Sequence, residues 1–313
     1  MLKNNLNYLK IDPKYSSTFK ANVPISFGCN NFCTYCAVPY TRGREISRTS
    51  KEIITECKKL IKNGCKDIIL LGQNVNSYGH DNKNELTFPE LLKKIDSISG
   101  HYWLRYTSPH PKDMSDDLIK VMKEGKHIAH QLNLPVQSGD NEVLRKMGRH
   151  YTVSKYLSLV KKIRKAMPDI SLSTDVIVGF CGETKKQFLN TAKLFRTAKF
   201  DMAYLAQFSP REGTPAWKMP DDVSKDEKKR REDFLNAILT KTALEYHKQF
   251  ENKEMEVLID EIKSKTTFGR NFGWKKISIT GVPNKSLGRF GLVKITKAKP
   301  FGLEAEWLKF TDK

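Results

Sequence analysis

Between about Val23 and Gln207 the sequence repeats one unit, a short apolar run followed by a longer amphipathic stretch. The runs "VPISF", "DIILL", "YWLRYT", "HQLNLPV", "ISLSTDVIV" and "DMAYLAQF" have strand length. The stretches "SKEIITECKKLIKNG", "TFPELLKKIDSI", "MSDDLIKVMKEG", "TVSKYLSLVKKIRKAM" and "ETKKQFLNTAKLFRTA" carry apolar residues at helical spacing. Several open on Ser or Thr and close on Gly or Pro, as helix boundaries do. Strand–helix alternation of this kind argues for a parallel sheet with helices outside. The number of units fits a complete or incomplete barrel better than a two-layer dinucleotide fold. In such barrels the chemistry sits at the C-terminal ends of the strands, so the loops after the apolar runs are the places to look.

After Phe208 the texture changes. "SPREGTPAWKMPDDVS" reads as an ordered crossing loop, and "KDEKKRREDFLNAILTKTALEYHKQF" as a long basic helix. From about Glu254 the runs "MEVLIDEI", "WKKISITGV", "GLVKITKAK" and "GLEAEWL", separated by glycine turns, read as a small all-β unit. The expected division is a leader at 1–14, an α/β barrel at 15–247 and a β-domain at 248–313. The 313 residues suffice for both units. A formal charge of +20 points to a polyanionic partner. No run is long enough to cross a bilayer and "MLKNNLNYLK" has no apolar signal core, so the expectation is a cytoplasmic protein without a membrane partner.

Half of the six cysteines lie in "ISFGCNNFCTYCAVPYTRGREISR", where Cys29, Cys33 and Cys36 form C-x3-C-x2-C directly after the first strand. A structural zinc site wants four ligands, and no further Cys or His stands nearby. Three thiolates suit a cubane iron–sulfur cluster with one iron left open. Clustered thiols with no metal would be an oxidation hazard.

This loop, on the first strand of a six-unit barrel, resembles the radical S-adenosylmethionine (radical SAM) superfamily. The resemblance implies a (β/α)6 partial TIM barrel. It also implies a [4Fe-4S] cluster on Cys29, Cys33 and Cys36, whose open iron chelates S-adenosylmethionine. Tyr35 takes the position that the family places against the adenine. "LLGQNVNSYG", "TSPHP", "LNLPVQSG", "STDVIVGFCGET", "REGTPAWKMPDDVS" and "VPYTRGREISR" are similar to the methylthiotransferase branch. "GQNVN" is most similar to its members acting on N6-isopentenyladenosine beside the tRNA anticodon. By that likeness Gly72, Gln73 and Asn74 meet the amino group of the cofactor. Gln137 and Ser138 are candidates for its ribose or carboxylate, and Asp175 and Gly179 pack near the adenine. Read alone, each is also compatible with ordinary turn chemistry.

Arg42, Arg44 and Arg48 are candidate phosphate contacts or a solvated loop. Arg145, Lys146, Arg149 and His150 form a second basic group, facing either a substrate or a carboxylate of the fold. In the β-domain Arg270, Phe272, Trp274, Lys275 and Lys276, then Lys285, Arg289 and Phe290, interleave cations with rings, as RNA binding requires. Trp307 reads as core and Trp274 as core or platform. This unit resembles the TRAM module, a small RNA-binding barrel.

The tRNA enzymes of this branch carry an N-terminal domain whose three cysteines hold a second [4Fe-4S] cluster, the sulfur donor. The residues before the first motif contain no cysteine, so the ligands of that cluster are absent here. Cys57, Cys65 and Cys181 read as small apolar residues. The chain is then a fragment, one half of a split enzyme whose partner chain supplies the sulfur, or a reduced protein with altered chemistry. The expected function is methylthiolation at C2 of N6-isopentenyladenosine in tRNA, by a monomer fed electrons by a flavodoxin or ferredoxin. The alternatives are another tRNA or a protein substrate, or an RNA-binding remnant without catalysis.

Overall fold

The computed structural model describes residues 13–263 and 266–312. The expected leader lies outside the described residues apart from its last two.

The alternation of strands and helices is present as expected. β1 (Lys20–Pro24) leads through the short β2 (Ser26–Phe27) into the cysteine loop, which contains the one-turn helix α1 (Val38–Thr41). The loop returns as β3 (Ile46–Ser47), paired antiparallel to β2. There follow α2 (Ser50–Lys62), β4 (Asp67–Leu71), α3 (Phe88–Asp96), β5 (Trp103–Tyr106), α4 (Asp116–Glu124) and β6 (Gln131–Asn133). Next come α5 (Asn141–Lys146), α6 (Val153–Ala166), β7 (Ser171–Val178), α7 (Lys185–Ala198), β8 (Met202–Gln207) and α8 (Lys225–Lys248). Helix starts are fixed by side chains. Thr49 and Glu52 form a reciprocal capping box on α2, and Thr184 and Gln187 do so on α7.

β1, β4 and β5 form one parallel ladder, and β6, β7 and β8 a second. Leu104 joins the two: its N–H donates to His127 O (2.7 Å), and its carbonyl accepts from Ala129 N (2.9 Å). The six strands thus curve in the order β1-β4-β5-β6-β7-β8, and no ladder among the described residues joins β8 to β1. This is an open barrel. Alternation of side chains along each strand sends Val23, Ile68, Leu70, Leu104, Leu132, Leu172 and Val176 outward to the helices, where all are buried in one core. Each such side chain contributes on the order of 1.5–3 kcal/mol on burial. The inward face is polar: Gln131, Ser171, Ser173, Asp175 and Tyr204 line the lumen.

The β-domain is a closed five-stranded barrel of β9 (Glu254–Lys263), β10 (Thr266–Asn271), β11 (Lys276–Thr280), β12 (Phe290–Lys299) and β13 (Gly302–Phe310). Its core is aliphatic, with Val257, Ile259, Ile277, Ile279, Val293, Ile295 and Leu303 buried and Trp307 packed against them. Trp307 lies across Gly291, where an added Cβ would sit 2.0 Å from the indole ring.

This small barrel is docked on the N-terminal ends of the large barrel's strands. Trp103, Leu258 and Phe290 share a buried cluster with Phe19 and Phe272 packed on it. Ion pairs cross the seam from Lys20 to Asp260 (2.7 Å), Lys66 to Asp312 (3.4 Å) and Lys275 to Asp201 (2.5 Å). The cysteine loop lies at the opposite end. β7 spans the two levels, roughly 25 Å apart for its length.

Candidate active site at the mouth of the open barrel

The cysteine loop begins at Gly28, which has φ +82°, a backbone conformation that favours glycine. A Cβ there would lie 2.1 Å from Arg44 O, so only glycine lets the chain return as β3. Gly28 N donates to Gln73 Oε1 (2.6 Å), and Cys29 N to Gly43 O (3.2 Å). Thr34 anchors the far side. Its N–H donates to Met147 O (3.0 Å), its hydroxyl to Lys146 O (2.8 Å), and its carbonyl accepts from Ala216 N (2.9 Å). The thiols are therefore held by hydrogen bonds to Gln73 just after β4, to the end of α5 and to a turn of 3-10 helix at Pro215–Lys218.

Arg149 completes the thiol site. It is 7 % exposed and donates to Cys33 Sγ (3.5 Å), Tyr151 Oη (2.9 Å) and Pro135 O (2.9 Å). A guanidinium stays charged at any working pH, so it is a fixed cation beside sulfur. Burial pushes the Cys29 and Cys36 thiols up, and the neighbouring thiols push them further. Metal binding would release those protons.

Among the described residues no group of three or more His, Cys, Asp or Glu side chains is placed to hold a metal ion. In a cubane each thiolate binds its own iron, so the ligands need not converge on one point. A donor set of three cysteines in one loop, beside a fixed cation, matches that chemistry.

The other strand-end residues fall into two groups around the loop. On one side a Cβ at Gly72 would meet Ser26 Oγ at 2.7 Å, and Asn74 Nδ2 donates to Asp113 (2.8 Å). On the other, Tyr35, Gln137 and Asp175 line one cavity of about 610 Å³ together with Cys36, Tyr204 and Arg211. Asn133 Nδ2 holds Asp175 at 2.7 Å; burial raises that carboxyl, and the Asn133 bond and the Arg149 charge partly offset the rise. Three buried polar atoms at these strand ends have no partner within the protein: Ser26 Oγ, Asn74 Oδ1 and Gln137 Oε1. Gln137 also holds φ +70°. An orphaned buried acceptor costs about 1–3 kcal/mol, so its presence here points to a polar ligand. An amino-acid-bearing nucleoside such as S-adenosylmethionine fits those groups.

Two further expected cofactor residues, Ser138 and Gly179, make turn contacts within the protein. Ser138 is fully buried and its Oγ accepts from Asp140 N (3.2 Å). Gly179 N donates to Glu183 Oε2 (2.7 Å), and a Cβ there would meet Lys228 at 2.3 Å. Cys181 packs with Tyr35, Phe180, Phe208 and Ala216, while Cys57 and Cys65 are buried in the main core.

Several expected RNA contacts have partners within the protein. Arg48 donates to Pro24 O (2.8 Å) and pairs with Glu56 (2.7 Å). Arg270 pairs with Asp260 (3.0 Å), and Lys275 is buried against Asp201. Trp274 is pressed between the guanidinium groups of Arg105 (3.3 Å) and Arg270 (4.2 Å). Cation–aromatic interleaving served the seam between the barrels here, because their facing ends carry Asp67, Asp201 and Asp260. Arg289 is half-exposed, paired with Asp312 (3.2 Å) and stacked on Phe310 (3.7 Å). Arg42 and Arg44 stay at the mouth, over Phe27 (5.4 Å) and Phe32 (4.6 Å).

Sequence reasoning passed over Glu45. It is buried, and both its carboxylate oxygens lie 2.6 Å from Ser77 Oγ. Burial, reinforced by Asp81 and Asp113, pushes its carboxyl up to about 7. Nothing in "GREIS" marks it, because the burial comes from the "NVNS" turn packed across it.

Comparison with known proteins places these features in context. The family description matching residues 23–195 is that of the radical SAM superfamily. The chain is 45 % identical over 301 residues to the tRNA-2-methylthio-N(6)-dimethylallyladenosine synthase of Clostridium botulinum (strain Langeland / NCTC 10281 / Type F), covering 95 % of this chain and 66 % of that protein. It is 44 % identical over 296 residues to the enzyme of the same name from Thermoanaerobacter sp. (strain X514), covering 94 % and 63 %. The chain thus spans a little under two thirds of the length of these relatives. Among solved structures, coproporphyrinogen III oxidase from Escherichia coli, a radical SAM enzyme, matches with TM-score 0.55 at 13 % identity over 93 % of this chain and 70 % of that one. The radical SAM methyltransferase TsrM from Kitasatospora setae matches with TM-score 0.53 at 16 % identity, covering 63 % and 38 %. Those two likenesses concern the fold alone.

Proposed function

The chain belongs to the radical SAM superfamily, and on that footing we propose that it is the catalytic barrel of a tRNA methylthiotransferase acting at C2 of N6-isopentenyladenosine next to the anticodon. The observation that carries this reading is the set of orphaned acceptors, Ser26 Oγ, Asn74 Oδ1 and Gln137 Oε1, gathered at strand ends around three buried or half-buried cysteines. The 45 % identity to tRNA-2-methylthio-N(6)-dimethylallyladenosine synthase supports the substrate.

In this reading Cys29, Cys33 and Cys36 hold a [4Fe-4S] cluster, which supplies the electron that cleaves bound S-adenosylmethionine. The protein's own part is placement. Gly72 allows the backbone to approach the cofactor, and Asn74 offers its free amide oxygen to the cofactor's amino group. Gln73 secures the loop through Gly28 N rather than reaching the ligand directly. Tyr35 and the apolar cluster behind it flank the adenine; Gln137 and Asp175 accept from the ribose hydroxyls. Ser138 and Gly179 shape the turns that set Gln137 and Glu183. Arg149 holds a positive charge against Cys33 and keeps the site dry, since its nitrogens are spent on protein acceptors.

The substrate RNA, the flavodoxin or ferredoxin reductant and a sulfur-donor domain supplied outside these residues complete the proposal. The β-domain, a closed five-stranded barrel, is read as a TRAM-like RNA-binding unit, with Arg270 paired to Asp260 and Lys275 paired across the seam to Asp201. No described helix is long and apolar enough to cross a membrane, and a cytoplasmic site of action is part of the proposal. Anaerobic reconstitution tests it. About four irons per chain and dithionite-dependent release of 5′-deoxyadenosine from S-adenosylmethionine are expected, with deuterium transfer from C2-labelled isopentenyladenosine in tRNA. An iron-loaded chain that leaves S-adenosylmethionine intact would overturn it.

A further inference from the structure

We propose that the rim of the barrel mouth, formed by Phe32, Tyr40 and Trp217 beside Arg44, is a stacking platform for unpaired RNA bases that flank the base entering the cavity. This rests on the reading of the chain as an RNA-modifying enzyme and deepens it by locating the contact surface.

Six large aromatic side chains are exposed among the described residues: Phe32, Tyr40, Tyr204, Trp217, Phe234 and Phe301. Singly exposed rings are ordinary; their concentration in one place is not. Four of the six belong to the mouth. Tyr204 lines the cavity itself. Phe32 (41 % exposed) and Tyr40 (44 %) sit on the cysteine loop, ring centroids 5.8 Å apart and edge to face. Trp217 (51 %) stands on the 3-10 turn whose Ala216 N–H is bonded to Thr34 O of the same loop (2.9 Å).

These rings do not hold the loop in place. The loop's anchors are backbone bonds from Cys29, Thr34 and Ala216 and the cap of Gln73 on Gly28. Phe32 touches Tyr40 and Arg44, yet Phe32 and Tyr40 each keep a good part of their surface in water, which is available to a ligand face. The cations decide which ligand. The Arg44 guanidinium lies 4.6 Å over the Phe32 ring, and Arg211 lines the cavity at its edge. Rings for base faces and guanidinium groups for backbone phosphates are the two parts of single-strand recognition. In the β-domain Arg270 and Lys275 are committed to Asp260 and Asp201, whereas at the mouth Arg44 stands beside exposed rings at the cavity's edge. A purely protein partner would gain nothing from the flanking cations unless it were acidic.

The test is fluorescence anisotropy with the reconstituted protein and two probes, a hairpin RNA with an unpaired loop and the same stem closed as a blunt duplex. Replacing both Phe32→Ala and Trp217→Ala is expected to weaken hairpin binding about tenfold or more, in line with the loss of one stacked base, and to leave duplex binding unchanged. Phe32→Tyr with Trp217→Phe should restore hairpin affinity, since the stacking faces return. Both rings are exposed, so the variants should melt as the parent does. Hairpin affinity unchanged in the double alanine variant overturns the platform while leaving the RNA substrate intact. A parent that binds neither RNA overturns the functional reading itself. A double variant that keeps RNA affinity but no longer associates with a separate sulfur-donor polypeptide assigns the rim to protein docking and overturns the platform.

Discussion

Arg149 and His110 carry the most testable charge effects in the molecule. With Cys33 Sγ 3.5 Å from a guanidinium, a reduced cluster gains more from that cation than an oxidised one does. Arg149→Met should therefore move the cluster potential to more negative values, read by a redox titration followed by electron paramagnetic resonance. His110 is held neutral: its Nδ1 accepts from Lys112 N (3.2 Å), and burial, with Arg149, Lys112 and His150 adding to it, lowers its pKa to about 2. The unfolded chain takes up that proton below about pH 6.5, so the unfolded state binds more protons between those two values and stability falls as pH drops through the window. The loss is about 1.4 kcal/mol per pH unit. His110→Gln, which keeps an acceptor for Lys112 N, should lose about 2 kcal/mol less than the parent between pH 7 and pH 5 in urea unfolding. At this scale the sequence was legible only where residues act locally. The cysteine spacing is a local signal of this kind. Whether Lys275 meets water or a buried carboxylate depends on Asp201, brought in from just before β8, which no local pattern reports.

Strand ends and their supporting helices set the cavity. Gly139 sits where a Cβ would lie 2.4 Å from Thr191 Cα and 2.8 Å from Asn190 O, so α7 packs directly on the chain that carries Gln137. Gly139→Ala should cost about 1–3 kcal/mol in urea unfolding, because backbone on both sides must yield. The α7 capping box is a milder case: Thr184→Ala should cost about 1 kcal/mol. The main helices and strands were legible because their apolar residues keep period 3.6 or 2 over whole elements. β10 was not. "TTFGRN" offers one large apolar residue and a glycine, and reads as a turn. Its Gly269 marks the register shift against β9, where a Cβ would meet Leu258 O at 2.9 Å, and that bulge lets five strands close. Likewise α5 was missed, since six residues show no helical period. It is nonetheless the element whose C-terminal end holds Thr34.

At the scale of the molecule the two barrels share a buried seam. The small barrel caps the strand starts through Trp103 and Phe290 and a row of ion pairs, while the cysteine loop occupies the strand ends. Lys275→Met would leave the fully buried Asp201 without its cation, with only Leu172 N and Ser171 Oγ as donors. A loss of about 3 kcal/mol and a single, earlier melting transition are expected by calorimetry; two separate transitions would show that the barrels are not coupled. The composition forecast a polyanionic partner, and the β-domain looked like its docking face. The structure commits Arg270, Trp274 and Lys275 to the seam, a pairing that could not be read from the order of residues, while Arg289 on Phe310 stays half-exposed.

Everything in the functional account rests on the three thiols acting as one ligand set. The most direct measurement is iron and acid-labile sulfide content, with the spectrum of the reduced protein, for the parent chain and Cys33→Ala purified and reconstituted without air. The account predicts about four irons per parent chain and loss of the cluster in the variant. A Cys33→Ala protein that keeps the parent's iron and still splits S-adenosylmethionine would contradict it.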